Sequence, residues 1–190
     1  MPWKNGGGVT QEVLSEPADA GVTDFGWRLS LAELARSGPF STFPGVDRTI
    51  VLLEGTGVTV TVGGVTQALR RWEPWQFSGD CPASARVVEG PTRDLNVMTR
   101  RSRFTARTEV NRVEGHTPLR VHRREVVVLV VLAGPLTVRG TNDDENELAY
   151  LDSCRVSGDG SVDVRGTGTL ALVRLQDTDV SASPPGNFLD

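Results

Sequence analysis

Leu53-Glu54-Gly55-Thr56-Gly57-Val58-Thr59-Val60 is echoed by Leu132-Ala133-Gly134-Pro135-Leu136-Thr137-Val138, an apolar stretch, a glycine turn and a second strand pattern in one order. Outward from this pair, Ser78-Gly79-Asp80 recurs as Ser157-Gly158-Asp159 at an offset of 79. Ser84-Ala85-Arg86-Val87-Val88-Glu89-Gly90 resembles Ser161-Val162-Asp163-Val164-Arg165-Gly166, and Leu95-Asn96-Val97-Met98 aligns with Leu170-Ala171-Leu172-Val173 at an offset of 75. Turns draw on few residue types, so short strand-turn-strand pieces can match by chance. The shared order of several pieces favours duplication, and predicts two similar β-barrels in tandem.

Strand signals dominate the rest of the chain. Val126-Val127-Val128-Leu129-Val130-Val131-Leu132 is a β-branched run closed by Ala133-Gly134-Pro135, as expected of a strand buried on both faces, and Ile50–Leu53 is its shorter counterpart. Further strands are expected at Val58–Val62, Ala85–Val88, Leu95–Met98, Leu136–Arg139, Val162–Val164 and Leu170–Leu175. Helical periodicity is confined to a short turn around Leu31–Arg36.

Composition narrows the function. A net charge of −4 over 190 residues argues against a general nucleic-acid binder. The arginine clusters at Arg100–Arg103 and Arg120–Arg124 read as solvated faces. Cys81 and Cys154 have no close-spaced partner and read as free thiols of a reducing compartment. The longest apolar run, Val126–Ala133, is too short to cross a bilayer as a helix, so a cytoplasmic protein without a membrane or nucleic-acid partner is expected. A homodimer stays open.

The halves differ in chemistry. Alternation along Asp94-Leu95-Asn96-Val97-Met98 puts Asp94, Asn96 and Met98 on one face, whereas the aligned Thr169–Val173 offers only Thr and Ala there. A carboxylate and an amide on one strand face need a partner, so the first half is expected to bind and the second to pack. The opening block, Trp3-Lys4-Asn5-Gly6-Gly7-Gly8, holds the only lysine among 20 basic residues. A compact ammonium beside three glycines suggests a position where arginine would not substitute, although a frayed terminus would also explain it.

Four ordered blocks then carry a resemblance: Pro2-Trp3-Lys4-Asn5-Gly6-Gly7-Gly8-x-Thr10-x-Glu12; Phe25-x-Trp27-Arg28-Leu29-Ser30-x-Ala32; Gly38-Pro39-Phe40-Ser41-x-Phe43-Pro44-Gly45-Val46-Asp47-Arg48; and Gly90-Pro91-Thr92-Arg93-Asp94-Leu95-Asn96-Val97-Met98. Together they resemble the HutD/Ves family. The resemblance implies an all-β, bicupin-like chain of two tandem barrels of the RmlC-like jelly-roll type. The division is drawn as 1–110 for a barrel carrying the polar pocket and 111–190 for a degenerate barrel with a flexible tail, the boundary falling between about Arg100 and Arg120. It also implies an association with bacterial histidine utilisation, with members binding a small pathway metabolite and moderating pathway output.

Cupin chemistry raises the question of metal. His116 and His122 lie six residues apart outside the motif blocks, and with Glu125 they would make a facial triad, but three nearby arginines oppose a cation. No metal, cofactor or catalytic residue is therefore assigned. Epimerase chemistry would need a base and an acid across the substrate, and the sole tyrosine, Tyr150, sits in a surface-turn sequence.

Anion recognition fits better. Arg28 and Ser30 share one face of a strand expected at Phe25–Leu31, with Phe25, Trp27, Leu29 and Leu31 on the other. Arg28 has a ligand reading and a structural one, a pair with Asp94 or Glu12. Arg48 likewise either stands over a pocket mouth or pairs with Asp47. The candidate ligand set is Lys4, Asn5, Glu12, Arg28, Ser30, Phe40, Arg48, Asp94 and Asn96, with Phe40 and Phe43 on a lid-like loop and Trp75 and Phe77 read as core or lid. The expected partner is a small anionic metabolite such as urocanate or a formylated or formiminated amino acid. A metal-free hydrolase or isomerase with Asp94 or Glu12 as base is the alternative, and a protein-interaction module the third reading.

Overall fold

The computed structural model describes residues 8–140 and 144–178, and among them the chain is all strand and turn. The strands are β1 (Gly8–Glu16), β2 (Trp27–Leu34), β3 (Gly38–Pro39), β4 (Val46–Val62), β5 (Val65–Ala68), β6 (Pro74–Ser78), β7 (Ala83–Arg100), β8 (Phe104–Val121), β9 (Glu125–Ala133), β10 (Leu136–Arg139), β11 (Glu145–Leu148), β12 (Ser153–Ser157) and β13 (Gly160–Asp177). One antiparallel sheet runs β1-β2-β7-β4-β5, with β3 on β7 and β6 on β4. The other runs β11-β10-β13-β9-β12, with β8 on β13.

Several short strands of the sequence reading are pieces of longer ones. Ile50–Leu53 and Val58–Val62 both belong to β4, Ala85–Val88 and Leu95–Met98 to β7, and Val162–Val164 and Leu170–Leu175 to β13. Irregular pairing with β7 between Leu52 and Thr56 bends β4 where the glycine turn was expected. Before that bend β4 pairs with β6, and after it with β5. The helical turn expected at Leu31–Arg36 is instead the end of β2, where alternation of buried Ala32 and Leu34 with Glu33 fits a strand.

The repeat is visible in the register. Asp47 pairs with Ser78 and Val51 with Pro74 in the first sheet, as Val126 pairs with Ser157 and Val130 with Ser153 in the second. All four pairs obey the offset of 79. The last strand corrects the sequence alignment. Leu52 pairs with Asp94 and Val131 with Leu170, so Asp94 corresponds to Leu170 and Asn96 to Leu172, an offset of 76 and not 75. Trp72 and Leu151, again 79 apart, adopt matching φ values of 65° and 66° and pack against one shared core.

That shared core is built from both sheets: Trp27, Leu29, Val51, Leu53, Leu95 and Val97 from the first, Val128, Val130, Leu132, Ala171, Val173 and Leu175 from the second. Each sheet also encloses a core of its own, around Ile50, Leu52, Val58 and Val60 in the first and Leu129, Val131, Val162 and Leu172 in the second. With the largest cluster common to both sheets, the two halves are expected to unfold in one cooperative transition. Trp27→Ala, at a fully buried position, is expected to cost about 3–5 kcal/mol, and two separate calorimetric transitions would contradict this arrangement.

Candidate functional site

The inward face of the first barrel is polar where that of the second is apolar. Alternation puts Arg48, Ile50 and Leu52 of β4 on the same side as Thr92, Asp94 and Asn96 of β7, and Arg48, Asp94, Asn96 and Thr92 are all buried. The corresponding positions for Arg48, Asp94 and Asn96 in the second barrel are Val127, Leu170 and Leu172, all core residues. Three polar groups thus replace three aliphatic ones in a backbone of the same pairing.

Asn96 links the other two. Its Oδ1 accepts a hydrogen bond from Arg48 Nη2 at 2.8 Å, and its Nδ2 donates to Asp94 Oδ1. An amide can accept from one neighbour through its oxygen while donating to the other through its nitrogen. The guanidinium carbon of Arg48 lies 5.3 Å from the ring centre of Phe40, 5.5 Å from that of Phe43 and 5.1 Å from that of Phe77. Such rings attract a cation through their electron-rich faces. Arg48 Nε and Thr92 Oγ1 are buried without a hydrogen-bond partner among the described residues. Buried donors of this kind are rare in folded proteins and call for an explanation.

Burial dominates the electrostatics. It lowers the Arg48 pKa to about 10 against the opposing pull of Asp94, and it raises that of Asp94 to about 7 against the pull of Arg48. A carboxyl group poised near neutrality inside a barrel is suited to bind, take up or release a proton.

The other expected site residues fall as follows. Arg28 points inward from β2, but its Nε donates to Glu12 Oε2 at 2.6 Å, and Ser15 Oγ donates to Glu12 Oε1 at 3.0 Å. This is the structural alternative for Arg28, and it also engages Glu12. Ser30 is buried opposite Asn96 in the pairing of β2 with β7. The loop pair with Asp47 does not form: Asp47 pairs with Arg101 at 2.8 Å, and Arg48 is inside the barrel. The reason is that β4 begins at Val46, not Ile50, which makes Arg48 a strand residue on the inward side. Phe25 precedes β2 and packs with Val46 and Met98, away from Trp27 and Leu29. Lys4 and Asn5 lie outside the described residues.

Phe77 is the residue that the sequence reading missed as part of the site. Its pairing with Arg48 across β4 and β6 brings ring and cation together, and no local signal reveals that pairing. The loop carrying Phe40 and Phe43 is fastened to the Ser78-Gly79-Asp80 turn. Phe43 N donates to Gly79 O, Gly79 N to Val46 O and Gly45 N to Asp80 Oδ1, at 2.8, 2.8 and 2.7 Å. A Cβ on Gly79 would come within 2.8 Å of both Phe43 O and Val46 O, so this close approach requires glycine. The bond from Gly45, reinforced by Ser78 and Arg101, lowers the Asp80 carboxylate to a pKa of about 2.

His116, His122 and Glu125 form no shared centre. His116 Nε2 lies 3.0 Å from Asp163 Oδ1, while Glu125 accepts from the His122 backbone and from Arg174. Among the described residues no group of three or more His, Cys, Asp or Glu side chains is placed to hold a metal ion. Tyr150, expected on a surface turn, donates a hydrogen bond to Glu54 of the other sheet.

Two rolled antiparallel sheets around separate interiors, one of them polar, define a bicupin. A cupin 2 conserved barrel domain protein from Leptotrichia buccalis shares this fold, with a TM-score of 0.61 at 10% identity over 90% of this chain and 88% of that one. The chain belongs to the HutD family, whose model matches residues 1–172. It is 32% identical over 177 residues to an uncharacterized 21.2 kDa protein in the hutC 3' region of Pseudomonas putida, covering 92% of this chain and 91% of that one. The solved structure of HutD from Pseudomonas fluorescens SBW25 is similar throughout, with a TM-score of 0.79 and 35% identity over 93% of this chain and 92% of that one.

The buried carboxyl group makes stability depend on pH with a definite sign. With a folded pKa of about 7 for Asp94 and an unfolded value of about 3.9, the folded chain keeps a proton between these limits that the unfolded chain has lost. The contribution of Asp94 is therefore most favourable below pH 4, falls as pH rises to 7, and is level above that. Asp94→Asn should gain stability relative to the parent between pH 5 and pH 8 in chemical denaturation, and a difference independent of pH would contradict the assignment.

Proposed function

We propose that this is a cytoplasmic, metal-independent binding protein whose first barrel takes a carboxylate-bearing metabolite, urocanate or a formylated or formiminated amino acid, and so moderates histidine catabolism. The observation that carries the reading is Arg48, a buried guanidinium among three aromatic rings with an Nε that has no acceptor among the described residues. A planar carboxylate matches the fork of a guanidinium, and aromatic walls suit an imidazole or an acyl chain. Asn96 and Asp94 lie beside it as hydrogen-bonding groups, with Asp94 as acceptor for an imidazole or amide N–H. Lys4 and Asn5 of the opening block belong to the same proposal as further ligands. Arg28 and Glu12, engaged with each other, form a wall of the site. The pathway is supported by the name of the Pseudomonas fluorescens relative and by the hutC-adjacent position of the Pseudomonas putida one.

One observation favours a second reading. A carboxyl group with a pKa of about 7 is suited to general-base work, which puts Asp94 ahead of Glu12 as the base of a metal-free hydrolase or isomerase. Turnover of a stabilising ligand would establish it.

Thermal-shift titration with urocanate, N-formylglutamate and N-formiminoglutamate tests the main reading. At least one should raise the melting temperature, and Arg48→Met should weaken it by about one to two decades, the loss of one charge-assisted contact of ~1.5–3 kcal/mol. An unchanged dissociation constant in Arg48→Met would remove Arg48 from the site.

A further inference from the structure

We propose that the first barrel binds a carboxylate together with a proton: as the anion settles against Arg48, Asp94 takes a proton from solvent and stays neutral while the anion is bound. The proposal rests on the reading of Arg48 given above and adds what happens to its neighbour.

The argument is a count of enclosed charge. Arg28 is matched by Glu12, which leaves Arg48 and Asp94 as the charged side chains joined through Asn96. That cluster is neutral before a ligand enters. A second carboxylate would make two anions share one guanidinium in a water-poor interior, the arrangement that forces one of a carboxyl pair to keep its proton. Among the described residues, the groups around Asp94 offer no other compensation. On the inward faces, β2 contributes Ser30, Ala32 and Leu34, β4 contributes Ile50 and Leu52 beside Arg48, and β7 contributes Thr92 and Asn96. Phe77 of β6 and Leu69 complete the apolar surroundings. Arg48 is the sole charge that acts on Asp94 among the described residues.

Hydrogen bonding accommodates the proton. A neutral Asp94 still accepts from Asn96 and gains an O–H that needs an acceptor. Thr92 Oγ1, buried and without a partner among the described residues, stands on the same strand face two residues away, the spacing at which Asn96 reaches Asp94 from the other side. The ease of protonation near neutrality, with a pKa of about 7, supports this geometry. Asp94 would thereby act as a specificity-determining residue: it keeps a simple anion out at alkaline pH while admitting a ligand that brings its own N–H.

Formate is the probe, because it is the carboxylate group alone, fits any site built for one, and titrates only near pH 4, as carboxyl groups do. Formate is titrated into the full chain and into Asp94→Asn between pH 6 and pH 9 by calorimetry, in two buffers of different ionisation enthalpy. The parent should take up about one proton per formate at pH 8 and lose affinity about tenfold per pH unit above pH 7. Asp94→Asn should bind with the same affinity at every pH and take up none. Formate binding without proton uptake by the parent at pH 8, or pH dependence that persists in Asp94→Asn, would overturn the proposal while leaving the Arg48 site intact. The parent measurement decides this even where the variant does not fold. Absence of formate binding at every pH, or binding undiminished in Arg48→Met, would overturn the Arg48 reading and this proposal with it.

Discussion

The rest of the structure depends on two segments, 48–53 of β4 and 94–99 of β7, being buried on both faces. Their alternate residues serve different interiors: Val51, Leu53, Leu95 and Val97 meet the second sheet, while Arg48, Ile50, Leu52, Asp94 and Asn96 point into the first barrel. Such a segment has no solvent face on which to place a charge. Every polar residue on it must be satisfied by the barrel interior or by what the barrel holds, since an unpaired buried group is costly. A one-residue slip in the pairing would exchange the two sets and destroy both cores at once, so the register is tightly specified.

The same frame in the second half holds no charge at the matching places. Val127, Leu170 and Leu172 fill it, and packed aliphatic side chains stabilise such an interior without the desolvation cost of ions. Arg48, Asn96 and Asp94 therefore reduce what the first barrel could contribute to stability. Part of that loss is offset by Asn96, which bonds to both charged groups, and by the three rings around the guanidinium. A polar cluster is kept at this cost in only one of the two similar barrels.

The supporting parts are arranged around that cluster. The turn Ser78-Gly79-Asp80 fastens the loop that brings Phe40 and Phe43 over Arg48, and Arg101 ties Asp47 and Asp80 together at the rim, 2.8 and 2.9 Å from their carboxylates. Its counterpart in the second half, Ser157-Gly158-Asp159, likewise leads from one strand to the next, β12 to β13, so the turn belongs to the fold and its loop contacts to the first half. Trp72 and Leu151 show the same division. Both take a left-handed backbone that large side chains rarely adopt, and both do so to reach the shared core.

The sequence by itself determined the strand-rich class, the duplication and the contrast between a polar and an apolar half. These are local properties, carried by alternation, β-branched runs and glycine turns, and each can be read a few residues at a time. It also brought Asp94 and Asn96 to one face, because residues two apart on a strand must share it. Which side of Arg48 faces inward could not be read, since Gly45-Val46-Asp47 has the composition of a turn and only pairing with β6 and β7 makes Val46 and Asp47 strand. The partner of Arg28, the ring of Phe77 and the offset of 76 in the last strand were beyond reach for the same reason. Each depends on register between segments far apart in sequence, and register is decided when whole strands bury their faces together. Tertiary structure alone turned a list of polar residues into an arginine, an amide and a carboxyl group in contact.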